Sequence, residues 1–122
     1  MIKSIPKIVN LWSEMVSERN PEKQAKLYSK NSILLATFDS LFLGRDGVVE
    51  YMIKFLNKKN IKCRIIDNYT QRDTNSNIEV ANGIYQFSYV EGEQKKSVQA
   101  RYTFVIKNNL IISHHSSVDP KQ

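Results

Sequence analysis

The second half of the chain alternates between apolar and polar residues with a period of two, and this feature limits the fold more than any other. From residue 61 onward the segments IKCRIIDNYTQ, NIEVANGIYQFSYV, KKSVQARYTFVIK and LIISHHSSV follow one another, separated by the short turns RDTNS, EGEQ and NN. A period of two places alternate side chains on opposite faces of a β-strand. Because short turns join antiparallel neighbours, the pattern predicts a four-stranded antiparallel β-meander.

The first half of the chain has helical spacing instead. Ser4 is predicted to cap a first helix that has Pro6 in its first turn, and its apolar residues recur at helical spacing: Ile5, Ile8, Val9, Trp12, Met15 and Val16. Asn20 and Pro21 are predicted to begin a second, shorter helix carrying Ala25, Leu27 and Tyr28. SILLATFDS then predicts a strand, and a turn at 44–47 leads into a third helix. We therefore predict an α+β fold in which three helices precede the meander and a curved antiparallel sheet curls over the first helix.

Length and composition narrow the class of protein. A chain of 122 residues fits one domain, 1–122, and we expect it to bury a core without disulfides, metal or cofactor. The one cysteine, Cys63, excludes an internal disulfide and a cysteine-based zinc cluster. No apolar run is long enough for a membrane span, and the N-terminal residues lack a signal-peptide pattern. We therefore expect a cytoplasmic protein that does not bind membranes.

The formal net charge of +6 raises the possibility of a nucleic-acid partner. The basic residues are mostly lysines in segments such as NKKNIKCR and EQKKS, which are predicted to lie on outer faces and in turns. They do not alternate with aromatic residues, as a surface for base stacking would require. We interpret the charge as a solvated lysine-rich surface and expect no nucleic-acid partner.

His114 and His115 are the two histidines of the chain, and their neighbours in the predicted sheet decide what each can do. Inner-face positions of the third meander strand are expected to be Val98, Ala100, Tyr102, Phe104 and Ile106. If KNNL forms a two-residue hairpin turn, regular pairing places His115 opposite Tyr102 and His114 opposite Thr103. His115 is then predicted to point inward and His114 outward, so the pair cannot chelate one metal ion.

An inward His115 indicates a ligand pocket on the concave side of the curled sheet. The same register brings Tyr85 and Tyr102 beside it, and Trp12 of the first helix faces them, so these four residues are the predicted binding site for a small organic ligand. The alternative is a core histidine whose hydrogen bonds go to a tyrosine hydroxyl. Both interpretations stay open from the sequence.

The outer face of the same strands has a mixed polar character. Gln99, Arg101, Thr103 and His114 are predicted to lie there, and this combination is typical of a surface that packs against a second subunit. We therefore expect a homodimer or a larger homo-oligomer that uses these residues. A solvated face is the alternative.

Four segments carry a resemblance to a known family. QARYTFVIKNNLIISHHSSVDP, together with YSKNSILLATFDS, GRDGVVEYMIKFL and NGIYQFSYVEG, resembles small bacterial proteins related to the association domain of calcium/calmodulin-dependent protein kinase II. These proteins belong to the nuclear-transport-factor-two-like, or SnoaL-like, superfamily. The resemblance implies a curved sheet wrapped around a long N-terminal helix, a cone with an open mouth, and it matches His115 to an inner histidine of the kinase domain.

The chain also departs from this family. KNN replaces a longer hairpin tip, DGKW, and Ala36 replaces a proline. In the kinase domain, arginines inside the cone hold carboxylate ligands, but the matching positions here are Tyr85 and Phe104, which carry no charge.

Three functions follow as expectations. The first is an oligomeric domain for small-molecule binding or assembly. The alternative is an isomerase- or cyclase-type enzyme in which His115 or a carboxylate such as Asp39 moves a proton. A regulatory protein without a working pocket is the third. Catalytic residues stay unassigned because this fold carries many activities.

Overall fold

The computed structural model describes residues 4–120 and shows helices on the concave side of one curved sheet. The helices are α1 (Lys7–Met15), which continues into a 3-10 turn (Val16–Glu18), α2 (Pro21–Ala25) and α3 (Gly44–Phe55). The strands are β1 (Tyr28–Leu35), β2 (Leu41–Leu43), β3 (Lys59–Asp73), β4 (Ile78–Glu91), β5 (Gln94–Lys107) and β6 (Leu110–Val118). The predicted α+β class is confirmed.

The six strands form one sheet in the order β2-β1-β6-β5-β4-β3. Strands β3 to β6 are consecutive antiparallel neighbours, so the predicted meander is confirmed. The pairing of β1 with β6 is parallel and was not predicted, because a period of two shows that a strand exists without showing which strand it joins. This pairing brings the first and last strands of the sheet side by side.

The starts of the first two helices differ in how well local signals predict them. The Asn20 side chain accepts a hydrogen bond from the Lys23 amide at 3.1 Å, and Pro21 is the first helical residue, as expected. The Ser4 cap was wrong, since α1 begins at Lys7 and Pro6 occupies the N-cap position. The second helix also ends at Ala25, so Tyr28 begins a strand instead of extending that helix.

The concave side of the sheet is filled by aromatic side chains around α1. Trp12 is 2% exposed and stacks on Tyr85 with ring centroids 5.5 Å apart. Phe87 and Phe104 meet the same indole edge to face at 6.3 and 5.5 Å. Offset and edge-to-face contacts of this kind add to the free energy gained by burying the rings. The inner side of the cone at Trp12 is therefore a packed core.

The hairpin between β5 and β6 corrects the predicted orientation of both histidines. Asn108 and Asn109 have φ of 50° and 64°, and Lys107 pairs with Leu110, so the predicted two-residue turn is confirmed. A bulge follows, because Ile106 pairs with Ile111 whereas Val105 pairs with Ser113. One extra residue in a strand reverses the faces of all residues beyond it. His114 therefore lies opposite Phe104 and points inward, and His115 lies opposite Thr103 and points outward.

Candidate functional site

His114 is the centre of a chain of hydrogen bonds through the core. It is 2% exposed, its Nδ1 lies 2.7 Å from the Tyr28 hydroxyl, and its Nε2 lies 3.0 Å from the Tyr85 hydroxyl. The ring also stacks on Phe104 with centroids 3.9 Å apart. We use the name His114 network for the hydrogen-bonded residues Trp12, Tyr28, His114, Tyr85, Ser116 and Thr37.

The donors of this network fix the tautomer of the imidazole. The Trp12 indole N–H can only donate, and it does so to the Tyr28 oxygen at 3.0 Å. Because Tyr85 donates its own proton to Ser116, its oxygen accepts from His114 Nε2, so the imidazole carries its proton on Nε2 and accepts the Tyr28 proton at Nδ1. Tyr85 in turn donates to Ser116 Oγ at 2.6 Å, and Ser116 contacts Thr37. The bonds from Trp12 through Tyr28, His114 and Tyr85 to Ser116 run in one direction and leave both nitrogens of a neutral His114 satisfied.

Burial keeps this histidine neutral. Removal from water, with a smaller contribution from the charge of His115, lowers the pKa of His114 to about 3. Burial also raises the pKa of the Tyr28 and Tyr85 hydroxyls well above their usual value. A general acid or base works best with a pKa near the operating pH and with free access to its proton. His114 has neither property, so the network stabilises the core.

We expect this histidine to make stability depend on pH. Between its usual pKa of 6.5 and about 3, the unfolded chain binds a proton at His114 that the folded protein does not bind. Stability is therefore fully present above pH 6.5 and falls as the pH falls, with a slope that approaches about 1.4 kcal/mol per pH unit. Urea unfolding of the wild type and of His114→Gln between pH 7.5 and 4.5 measures the difference. Equal pH slopes for the two proteins would contradict a buried neutral imidazole.

The structure brings together three of the four residues predicted to line a ligand pocket. Trp12, Tyr85 and Tyr102 lie on the inner side of the sheet and are at most 3% exposed, whereas His115 lies on the outer side. Tyr102 donates to the Asn68 side-chain oxygen at 2.7 Å, and the polar atoms of the other two belong to the His114 network. Ligand binding at this place stays a prediction, and it requires that a ligand displace these contacts.

The outer sheet face carries the second candidate site. The apolar side chains of the sheet edge are exposed there: Leu43 by 63%, Leu41 by 51%, Ile33 by 43% and Leu35 by 41%. In the sheet register, one row runs from Leu43 through Ile33, Ser113 and Val105 to Val80, and the next runs from Leu41 through Leu35, His115 and Thr103 to Asn82. We call these two rows the outer-face patch. It places apolar side chains and His115 on one continuous surface.

Polar side chains within the outer-face patch and beside it bond to one another across the strands. Arg101 donates to Ser117 Oγ from Nε at 3.2 Å and from Nη2 at 3.0 Å. Thr103 donates to the Asn82 side-chain oxygen at 2.9 Å. The interface prediction correctly placed Gln99, Arg101 and Thr103 on the strand positions that face outward, but it was wrong for His114, whose place His115 takes.

The remaining candidate for proton transfer lies in a turn. Asp39 accepts a hydrogen bond from the Ser40 amide at 2.8 Å, and its carboxylate lies 3.6 Å from the Lys54 ammonium at the surface. Among residues 4–120, no three side chains of histidine, cysteine, aspartate or glutamate are placed to hold a metal ion. Over the same range, no helix has the length and apolar character needed to cross a membrane.

Sequence reasoning missed Tyr28, Ser116 and Thr37, the other hydroxyl groups of the His114 network. The parallel pairing of β1 with β6 brings Tyr28 to His114, from which it is separated by 86 residues. One local signal was available: Ile111 and Ile112 are adjacent apolar residues that interrupt the alternation of β6 at the bulge.

Comparison with solved structures shows which fold the molecule has. A Streptomyces avermitilis protein of the nuclear transport factor 2-like family, described as a dehydratase, has a TM-score of 0.81 at 12% identity, covering 93% of this chain and 92% of that one. A nuclear transport factor 2-like superfamily protein from Salmonella enterica has a TM-score of 0.78 at 16% identity, covering 95% and 89%. At these identities the likeness shows the fold alone. The curved sheet around α1 therefore has the nuclear transport factor 2-like fold.

A narrower assignment comes from the sequence. Residues 2–120 match the family described as the calcium/calmodulin dependent protein kinase II association domain, and the chain belongs to this family. A crystal structure from Xanthomonas campestris with the same family description has a TM-score of 0.86 at 29% identity, covering 100% of this chain and 97% of that one. No curated protein sequence matches the chain. The expected resemblance is confirmed.

Proposed function

We propose that this chain is an assembly domain in which two copies pair through their outer-face patches. The observation that carries the proposal is the position of Ile33, Leu35, Leu41 and Leu43, four exposed apolar side chains in adjacent strands. Contiguous exposed apolar surface bordered by polar groups marks an interaction site. The family description, an association domain, supports self-association as the use of this surface.

Two-fold symmetry suits the shape and chemistry of this surface. The outer face of the sheet can meet the same face of a second copy, so each contact is made twice. Exposed apolar side chains next to polar groups such as Arg101 and Ser117 give the mixture of residues that is usual for an interface. His115 lies directly between Leu35 and Thr103 and takes part in the same contact.

This arrangement favours assembly over catalysis. His114 is enclosed by its hydrogen bonds, His115 lies on the outer face, and the Asp39 carboxylate is held in a surface turn. An isomerase or cyclase requires a base that faces bound substrate. Neither histidine of the chain meets that requirement.

The test is the mass of the wild type and of Leu35→Glu, measured by light scattering at micromolar concentration. Two buried glutamates, one from each copy, would lose solvation and repel each other, so we expect the dissociation constant to rise at least about 100-fold. Ile53→Glu is the matched control, because Ile53 is 59% exposed on α3 and lies outside the sheet. We expect this control to keep the wild-type mass. A monomeric wild type, or a Leu35→Glu variant that assembles normally, contradicts the proposal.

A further inference from the structure

A basic cleft lies where α1 ends and the hairpin of β4 and β5 begins. It has a volume of about 520 Å³ and is lined by the 3-10 turn, the start of β3, the end of β4 and the start of β5: Ser17, Arg19, Asn60, Ile61, Lys62, Ser88, Tyr89, Val90, Lys95 and Lys96. Pockets for small molecules have volumes in this range. The cleft therefore has the size of a ligand site.

The charge of this cleft has one sign. Four of its ten lining residues are cations and none is acidic. The ion pairs formed within residues 4–120 involve Lys23, Lys54 and Arg72, so none of the four cations of the cleft forms an ion pair with a described carboxylate. The runs NKKNIKCR and EQKKS, which are far apart in the sequence, supply three of them. Like charges brought together in a concave site attract anions.

The structure also holds one of these cations in place. Arg19 donates from Nε to the Leu56 carbonyl oxygen at 2.8 Å and from Nη2 to the Asn57 carbonyl oxygen at 3.2 Å. A guanidinium that is already oriented loses little conformational freedom when it binds an anion. The lysines of the rim are exposed and can adjust to the ligand.

Apolar side chains line the same cleft beside these charges. Ile61 is buried, and Tyr89 packs against the core while it faces Lys96 in the sheet register. The Lys58 ammonium lies 4.8 Å from the centre of the Tyr89 ring. An aromatic ring next to cations suits a ligand that has both an apolar body and negative charge.

We propose that this cleft binds a small organic anion with two negative charges, carried by phosphate or carboxylate groups, on an apolar body. The cleft lies at the opposite end of β5 from Thr103, so the ligand site is separate from the outer-face patch. The proposal does not depend on assembly.

The experiment is a nuclear magnetic resonance titration of the isotope-labelled protein with three probes. Phenyl phosphate and benzene-1,3-dicarboxylate each carry two charges and a ring, and inorganic phosphate lacks the ring. We expect saturable shifts at amides of the cleft with at least one aromatic probe, in the millimolar range or tighter, and binding of inorganic phosphate at least about fivefold weaker. The aromatic probe that binds more tightly shows whether the cleft prefers phosphate or carboxylate groups. Absence of saturation by about 10 mM, or equal binding of inorganic phosphate, overturns the proposal.

Matched charge variants locate the site. The double variant Lys95→Glu, Lys96→Glu is expected to bind the aromatic probe at least about tenfold more weakly than the wild type. The double variant Lys7→Glu, Lys26→Glu changes the net charge by the same amount on a different surface. We expect it to change the affinity for the probe less than about twofold. An equal loss of affinity in both double variants would show that the probe is attracted by the net charge alone, and it would overturn the proposed location of the site.

Discussion

Replacing His114 by alanine is expected to lower the free energy of unfolding by about 3 to 5 kcal/mol. The substitution removes a buried ring that stacks on Phe104 at 3.9 Å and leaves a cavity in its place. It also removes one of the two hydrogen-bond partners of each buried hydroxyl, Tyr28 and Tyr85, and an unmade buried hydrogen bond is costly. Urea unfolding at pH 7.5 measures the change.

The neighbouring histidine is the matched control for this experiment. His115→Ala removes the same side chain one residue later, but from the outer face. We expect a loss of less than about 1 kcal/mol when both variants are compared at a concentration where their masses equal that of the wild type. A larger loss for His115→Ala than for His114→Ala would show that β6 is paired without its bulge.

Replacing Gly83 by alanine is expected to lower the free energy of unfolding by about 3 kcal/mol or more. A Cβ atom at this position would overlap the Asp67 carbonyl oxygen and lie 2.6 Å from the Tyr102 hydroxyl. The bulge between Ile65 and Asp67 brings β3 over the glycine, and Tyr102 lies directly opposite it in β5. Because a backbone atom blocks the space, side-chain adjustment cannot relieve the overlap. Thermal and urea unfolding measure the loss.

Gly92→Ala separates crowding from backbone conformation. Gly92 has φ of 64°, and a Cβ there would have no neighbour within 4 Å. The loss of unfolding free energy in Gly92→Ala therefore comes from the left-handed backbone conformation alone and is about 1 kcal/mol. A Gly83→Ala variant no less stable than Gly92→Ala would contradict the close approach of β3 to β4.

Local signals in the sequence were enough for the elements and for most of the faces. The period of two in β5 correctly placed Ala100, Tyr102 and Phe104 on the inner side, and the Asn108–Asn109 turn set the start of β6. These features depend on residues close together in the chain, so the pattern contains them.

The histidines were assigned to the wrong faces because their orientation depends on distant partners. A bulge adds one residue to β6 and turns His114 inward, where it forms hydrogen bonds with the hydroxyls of Tyr28 and Tyr85. The parallel pairing of β1 with β6 and the β4–β5 register bring these hydroxyls to His114. The alternative of a satisfied core histidine was correct in kind, but it applies to His114. The basic cleft was missed for the same reason, since its lysines meet only when β3 and β5 curve towards the end of α1.

The parallel contact between β1 and β6 has a consequence for the order of events during translation. Tyr28 leaves the ribosome 86 residues before His114, and until then β1 has β2 on one edge but lacks β6 on the other. A nascent chain that ends before β6 therefore exposes an unpaired strand edge and two tyrosine hydroxyls without an acceptor. Contacts of such long sequence separation form slowly, because a large loop must close first. We expect the nascent protein to depend on chaperones during this interval and to acquire protease resistance only after β6 has been synthesised.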